Sequence, residues 1–586
     1  MPAGFRLLLV LAVVLAVLSC GFVPTAALVH DNPADPEYVD PDPGPFTVTF
    51  ESNGGTAVPS QTVDAGGLVA KPADPTKDGK NFAGWFADAG LDAPWDFLTG
   101  TVSADMTLYA KWTDMPVFTV SFDSNGGSAV GDQTVIQGGK IVKPADPTRT
   151  GYAFCGWYRE DTHETPWVFD TDTVTSALIL YAKWTANAYA VTFDKQGGTG
   201  GSDGVSATYD APMPAAASPN SPIDGYAFGG YYTGTGGSGT RYYTASMASA
   251  NKWSIAGNAT LYAVWVLAPG AQKAFSAGGV TFRMNIVPGG VSFPTGSRDD
   301  GGTASVTKNY WIAETEATYQ LWSAVRTWAV SHSYTFANAG VQGDGTGDTS
   351  AHPVTTVDWR DAMVWCNALT EWYNAQNGTS FACVYYGDSA YATPIRDSYA
   401  SGSYNNSVNA TPGGFDYPYI KADAGGNMGM DDCAAAGFRL PTAYEWELAA
   451  RFIGDANGDG DILDSGEYYP GDHVSGDKTG YCYNYSLGRE SASVIFGDYA
   501  WYSINSGSST HVVGTKSANA LGIFDMSGSV HEWCFDWLAA AVGTSRIERG
   551  GAWGHAADSL PLGYVAGNGP YYAVWTKGFR FAKNED

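Results

Sequence analysis

The 586-residue sequence carries 31 Lys and Arg against 59 Asp and Glu, a formal net charge of −28, with 15% charged residues. That length excludes a single hydrophobic core, because cores stop growing at about 250–300 residues, and the negative balance excludes nucleic acid, whose phosphates it would repel. Seventy-three Gly, 35 Tyr and 20 Trp point to short strands, many turns and aromatic-rich surfaces.

Arg6 precedes an apolar run from Leu7 to Leu18, the length of a signal-peptide core and too short to span a bilayer. The run ends Val17-Leu18-Ser19-Cys20, which resembles the lipobox at which bacterial lipoproteins are cleaved and acylated. Residues 1–19 therefore read as a lipoprotein signal peptide and Cys20 as the lipidation site; the alternative is an ordinary secretory signal cut near Ala27. No later segment has the length and apolarity of a membrane span, so any anchor is lipid, and the expected location is the bacterial cell envelope, outside the cytoplasm. Residues 20–45, rich in Pro and Asp, read as a stalk. Six further cysteines (Cys155, Cys366, Cys383, Cys433, Cys482 and Cys534) include no C-x-x-C pair and no accompanying His cluster, which argues against zinc. One or two disulfides among the last five would suit that compartment, with a pairing the sequence does not define.

Three repeats occupy residues 46–113, 117–185 and 188–266. The first opens FTVTFESNGG, passes through Trp85 and Trp95 and closes LYAKW at Trp112; the second repeats this through Trp157, Trp167 and Trp184. The third is looser, from YAVTFDKQGG to LYAVW at Trp265. Each opens with the period-two alternation of a strand that runs into an Asn/Gln-Gly-Gly turn. A period near 70 residues implies an array of small β-rich domains. The pattern resembles the Listeria–Bacteroides repeat of internalin-type surface proteins, which implies a β-grasp-like fold. A spacer is the preferred reading, adhesion the alternative.

Residues 267–279 read as a linker and 280–584 as an irregular α+β domain. Helical spacing runs from Ala362 to Tyr373 behind Asp358 and Asp361, and a second helix is announced at GFRLPTAYEWELAAR by Thr442 and Glu445. The Gly-Gly pair behind Arg549 requires a sharp turn or a close backbone approach.

GFRLPTAYEWELAAR (Gly437 to Arg451), NALGIFDMSGSVHEWCFDW (Asn519 to Trp537), RGGAW (Arg549 to Trp553) and GFR (Gly578 to Arg580) resemble the formylglycine-generating enzyme, or sulfatase-modifying factor, family. The resemblance implies a variant of the C-type-lectin fold. It embraces oxidases, sulfoxide synthases and non-catalytic surface proteins, so activity has to be tested on residues. The oxidases hold copper with two cysteines behind the Arg-Gly-Gly motif; those positions fall here on His555 and Leu560, and no Cys follows Cys534. Leucine cannot ligate a metal and one imidazole is a poor copper(I) site, so no copper is expected. Nor is iron, because the iron-dependent relatives use a His-rich helical domain and the eight His here are scattered. No catalytic residue is assigned. His531 and Glu532 adjoin, but neighbours on a strand face opposite ways, which favours a structural role.

Two structural Ca2+ sites are expected. The family resemblance implies one from the carbonyls of Ser527, Gly528 and Val530 with the carboxylate of Glu532, although Ser529 replaces the family's Asn. The other is DANGDGDILDSGE, which spaces oxygens at Asp455, Asn457, Asp459 and Asp461 around Gly460 as a Ca2+ loop does, with Glu467 one place late. Between RGGAW and GFR, large aromatic faces (Trp553, Tyr564, Tyr571, Tyr572, Trp575) mix with polar His555, Asp558 and Asn568, a composition suited to binding a protein or glycan. The same segment forms the ligand surface in the C-type-lectin-like variable proteins of diversity-generating retroelements, which is an analogy. The expectation is a surface lipoprotein whose terminal domain is a non-catalytic module for a host or bacterial surface protein or glycan; the alternative is an enzyme of the family with altered residues.

Overall fold

The computed structural model describes residues 44–585 except 297–299, 344–349, 400–415, 422–432, 458, 460, 480–481, 485–488 and 491–494. The expected signal peptide, Cys20, the expected stalk up to residue 43 and Gly460 lie outside the described residues. The chain condenses into two units, Met1–Thr185 and Ala186–Asp586.

In the first unit, β1 (Phe46–Glu51) alternates as its sequence predicts, with Val48 and Phe50 inward. β1 pairs antiparallel with β2 (Gln61–Val63) and parallel with β4 (Met106–Asp114), while β3 (Lys80–Phe86) pairs antiparallel with β4. The sheet order is β2-β1-β4-β3. The second repeat reproduces it as β6-β5-β8-β7, from β5 (Val117–Asp123), β6 (Gln133–Ile136), β7 (Tyr152–Tyr158) and β8 (Leu178–Ala186).

The Asn-Gly-Gly turn and the closing Trp are two halves of one device. Asn53 and Gly54 take positive φ (48° and 81°), and a Cβ on Gly55 would stand 2.5 Å from the Trp112 ring. Trp112 Nε1 in turn donates to Ser52 O at 2.9 Å, closing the turn onto β4. Gly127 and Trp184 repeat the contact in the second repeat, and Gly198 and Trp265 in the third.

The second unit starts with the third repeat: β9 (Ala188–Asp194), β10 (Gly204–Thr208), β11 (Tyr226–Tyr232), β12 (Arg241–Tyr243) and β13 (Ala259–Leu267), in the order β10-β9-β13-β11-β12. It packs on the terminal domain: Gly225 lies under Trp311, and Lys273 pairs with Asp224 at 2.8 Å. Residues 267–279, expected as a linker, instead hold β14 (Gln272–Ala277), whose Phe275 and Ala277 are buried. Alternate apolar residues in KAFSA made a strand available, and pairing with β15 (Val280–Val287) realised it.

The main sheet runs β14, β15, β16 (Tyr310–Ala313), Ala582–Asn584, then Phe438–Arg439, so Ala582–Asn584 lies inside the sheet with a partner on either side. Two helices pack on it. α1 (Tyr319–Val330) is capped by Thr318, and α2 (Trp359–Asn377) by the reciprocal box of Asp358 and Asp361, ending at left-handed Gly378. α2 therefore begins three residues before the predicted run. A third helix, α3 (Ala443–Arg451), opens with the Thr442–Glu445 capping box. The expected disulfides are not formed: Cys366, Cys383, Cys433, Cys482 and Cys534 are separate buried thiols, and Cys155 is an exposed one. Among the described residues no helix is long and apolar enough to cross a membrane.

Candidate functional site: an aromatic cleft on the second sheet

A four-stranded sheet carries the family motifs, in the order Ala566–Asn568, Arg546–Arg549, His531–Trp537, Lys577–Gly578. Its register pairs Glu532 with Arg549, Trp533 with Glu548, and His531 with Lys577. Strand alternation then sorts the side chains. His531, Glu548 and Lys577 share one face; Glu532 and Arg549 share the other.

The inner face is a buried charge network. Arg580 grips Glu532 with Nε and Nη2 at 2.5 and 2.6 Å, and also donates to Ala313 O and Phe524 O. Trp446 Nε1 donates to the same carboxylate at 2.7 Å. Arg549 and Arg451 converge on Glu447 (2.7 and 2.8 Å), which ties the Arg-Gly-Gly strand to α3. Gly550 and Gly551 turn at φ 84° and 74°, and a Cβ on Gly551 would meet Ser559 O at 2.6 Å. The sharp turn expected there is real.

The outer face floors a cleft of about 980 Å3. Trp553, His555, Tyr564, Asn568, Tyr572 and Trp575 line it together with His531, Glu548, Lys577, Thr356 and Val574. Six of the eight residues expected to bind ligand are thus brought together. Tyr572 and Trp575 form an exposed rim (47% and 65%), whereas Trp553 is a wall at 7%. Asp558 does not line the cleft; it lies exposed on the short turn Ala557–Ser559. Tyr571 does not line it either, because its ring turns away toward the Arg360 guanidinium.

The floor is polar and buried. Lys577 pairs with Glu548, Asn568 Nδ2 donates to the same carboxylate at 3.0 Å, and the ammonium lies over the rings of Trp533 and Tyr572. Burial pushes the Glu548 carboxyl up and the Lys577 ammonium down, and their mutual attraction opposes both shifts. His531 Nε2 lies 3.0 Å from His555 Nδ1. Burial, reinforced by the His555 and Lys577 charges, holds the His531 imidazole down at about 3, and burial also lowers His555. Both rings are therefore neutral near pH 7.

Sequence reasoning missed Glu548 and Lys577 as part of this site. The signal was the period-two alternation of RIER and KGF, but it needs the pairing register to say which face is the cleft.

The metal expectations meet the same geometry. Leu560, which the family resemblance sets at the second copper position of the oxidases, packs in an apolar cluster with Val474, Cys482, Phe496 and Ala557, and its side chain carries no donor atom. Glu532 is committed to Arg580 and Trp446, so a Ca2+ shared with the carbonyls of Ser527, Gly528 and Val530 would have to break a fully buried ion pair. That donor set does not fit Ca2+ as it stands. Among the described residues no three His, Cys, Asp or Glu side chains are grouped so that they could hold a metal ion.

The family model of the sulfatase-modifying factor enzyme 1-like domain matches residues 277–585, and that of the Listeria–Bacteroides repeat domain matches 46–111, 118–183 and 189–264. A putative membrane protein of Evansella cellulosilytica is 37% identical over 222 residues, 38% of this chain and 33% of that protein. Internalin H of Listeria monocytogenes is 37% identical over 144 residues, 24% of this chain and 25% of that protein. The chain thus spans a third or less of the length of these two relatives. Among solved structures, Treponema denticola variable protein 1 is similar at 28% identity and TM-score 0.37, over 53% of this chain and 99% of that one.

Proposed function

Because the chain belongs, through residues 277–585, to the sulfatase-modifying factor enzyme 1-like family, we propose that its terminal domain is a non-catalytic recognition module. In this reading the domain is displayed outside the cytoplasm on β-rich repeats and a lipid anchor at Cys20, and the cleft takes a surface protein or glycan. The observation that carries the reading is the cleft itself: an exposed Trp575–Tyr572 rim above a polar floor, in the segment where the oxidase cysteines are replaced. Aromatic rims supply large contact area at low entropic cost, and polar floor groups give orientation. The envelope location draws support from the apolar run ending at Cys20 and from relatives named as membrane proteins and an internalin.

The test is binding to glycan and host-protein arrays, repeated with Trp575→Ala. We expect a ligand whose affinity falls at least about tenfold in the variant while the melting temperature holds, since the side chain is exposed. Blank arrays, or formylglycine formation on a sulfatase-motif peptide, would overturn the proposal.

A second reading, an enzyme of this family with altered chemistry, is favoured by one observation: the two imidazoles at 3.0 Å within the cleft. Against it, the family resemblance sets Leu560, not a cysteine, at the second copper position, which leaves the pair without a thiolate. Stoichiometric copper or iron in the purified protein would decide for it.

A further inference from the structure

The chain that leaves α3 at Arg451 is tied back to the helix exit by Glu467. Ile453 and Gly454 donate their N–H groups to the Glu467 carbonyl at 2.9 and 3.2 Å, so the residues between form a closed loop on a stem. Ile462 pins its middle: the side chain is fully buried, and its N–H donates to Ser292 O at 3.0 Å. Asp455, Asn457, Asp459 and Asp464 are exposed along the loop, with Asp461 half-exposed.

Acidic residues on a loop do not make a site. Glu467 is a different kind of observation. It is 4% exposed, and its Oε1 accepts from the N–H groups of Ala456 and Asn457 (2.7 and 3.3 Å), which aims the carboxylate into the first turn of the loop. Its Oε2 is buried and accepts no hydrogen bond. An anionic oxygen in that position is costly unless a cation faces it. Gly466, at φ 101°, explains how a carboxylate one place beyond the usual spacing arrives there: only glycine takes that conformation readily, and it turns the chain so that the next side chain points back.

The acidic side chains do not yet converge in threes. The Asn457 amide nitrogen stands between two of them, donating to Asp459 Oδ2 at 2.9 Å and Asp464 Oδ2 at 2.8 Å, so a neutral N–H donor occupies the point where those carboxylates meet. We propose that the loop Asp455–Glu467 binds one Ca2+, with Glu467, Asp459 and the Asn457 side-chain oxygen, its amide turned over, as principal donors and Asp455 and Asp461 completing the set. An all-oxygen donor set on an adaptable loop suits Ca2+ over softer metals and over Mg2+, which demands a tighter octahedron. The ion would clamp the exit of α3, the helix whose Glu447 holds Arg549 behind the cleft.

Chelator-treated full-length protein should take up one Ca2+ per chain in a calorimetric titration, with a dissociation constant of about 10⁻⁴–10⁻³ M, the range of extracellular modules. Its melting temperature should rise by several degrees with Ca2+ and not with equimolar Mg2+. Asp459→Asn, at an exposed position, should weaken uptake at least tenfold without changing the calcium-free melting temperature. Glu467→Gln, which keeps an acceptor for the two N–H groups, should do the same. No uptake by the unaltered protein would overturn the site, and so would uptake that both variants retain in full, which would place the ion elsewhere, for example near Glu532.

Discussion

The first two repeats and the terminal domain solve the problem of holding turns and loops in opposite ways. In the repeats the solution is built on an aromatic ring and stays within one repeat: one glycine, one tryptophan ring and one indole hydrogen bond lock each Asn-Gly-Gly turn to the closing strand, and the same geometry recurs. In the terminal domain long segments with little regular structure are held by buried ion pairs between separate elements, such as Arg580 with Glu532 and Arg549 with Glu447. The repeat device copies easily, because every part of it lies within one repeat. Buried charges are a poor route to stability in themselves, yet each pair specifies one partner and so places one loop. A cleft floored by Glu548, Lys577, His531 and His555 needs that kind of placement.

The comparison can be broken most severely at its charged end. Glu532→Gln leaves Arg580 buried without its counter-charge and should cost the terminal domain about 3–5 kcal/mol. Region-resolved hydrogen exchange should show deprotection of residues 519–580 while residues 46–113 keep their rates; equal deprotection of both would refute the contrast.

A second, somewhat smaller effect comes from acid. The His531 pKa lies at about 3 in the folded domain against an ordinary value of 6.5, so the unfolded chain binds the proton more readily. The neutral ring's contribution is complete above pH 6.5 and is lost progressively as pH falls toward 3, amounting to about 3 kcal/mol by pH 4. His531→Gln should flatten that part of the stability–pH curve, measured by denaturant unfolding at pH 7 and pH 4. An unchanged slope would mean the ring is not buried neutral.

The smallest effect belongs to the repeats. Gly127→Ala places a methyl 2.5 Å from the Trp184 ring and should destabilise that repeat by about 1–3 kcal/mol through overpacking. Trp184→Phe in the same chain should recover part of the loss, because it removes the ring atoms the methyl meets; no recovery would show that backbone strain, and not the contact, is responsible.

What was legible in the chain divides along the same line. The repeats could be read almost whole, since alternation in FTVTF and the Gly-Gly turn are local signals. So could the helix caps at Asp358 and Thr442, and the turn at Gly550 and Gly551. Less local features were misread. KAFSA was passed over because its strand depends on pairing with β15, and the cysteines were expected to pair because sequence does not reveal that each is enclosed by its own neighbours. In the cleft, the aromatic residues were legible by type, but Asp558 and Tyr571 were grouped with them only because they are near in sequence.

Residue type at a given spacing was enough for the repeat architecture and the family of the terminal domain. Which side chains meet was set by how the segments pair. Strand register put Glu548 and Lys577 under the aromatic rim, and chain reversal at Gly466 turned Glu467 into its loop. Those outcomes depend on pairing between segments that the linear order does not specify.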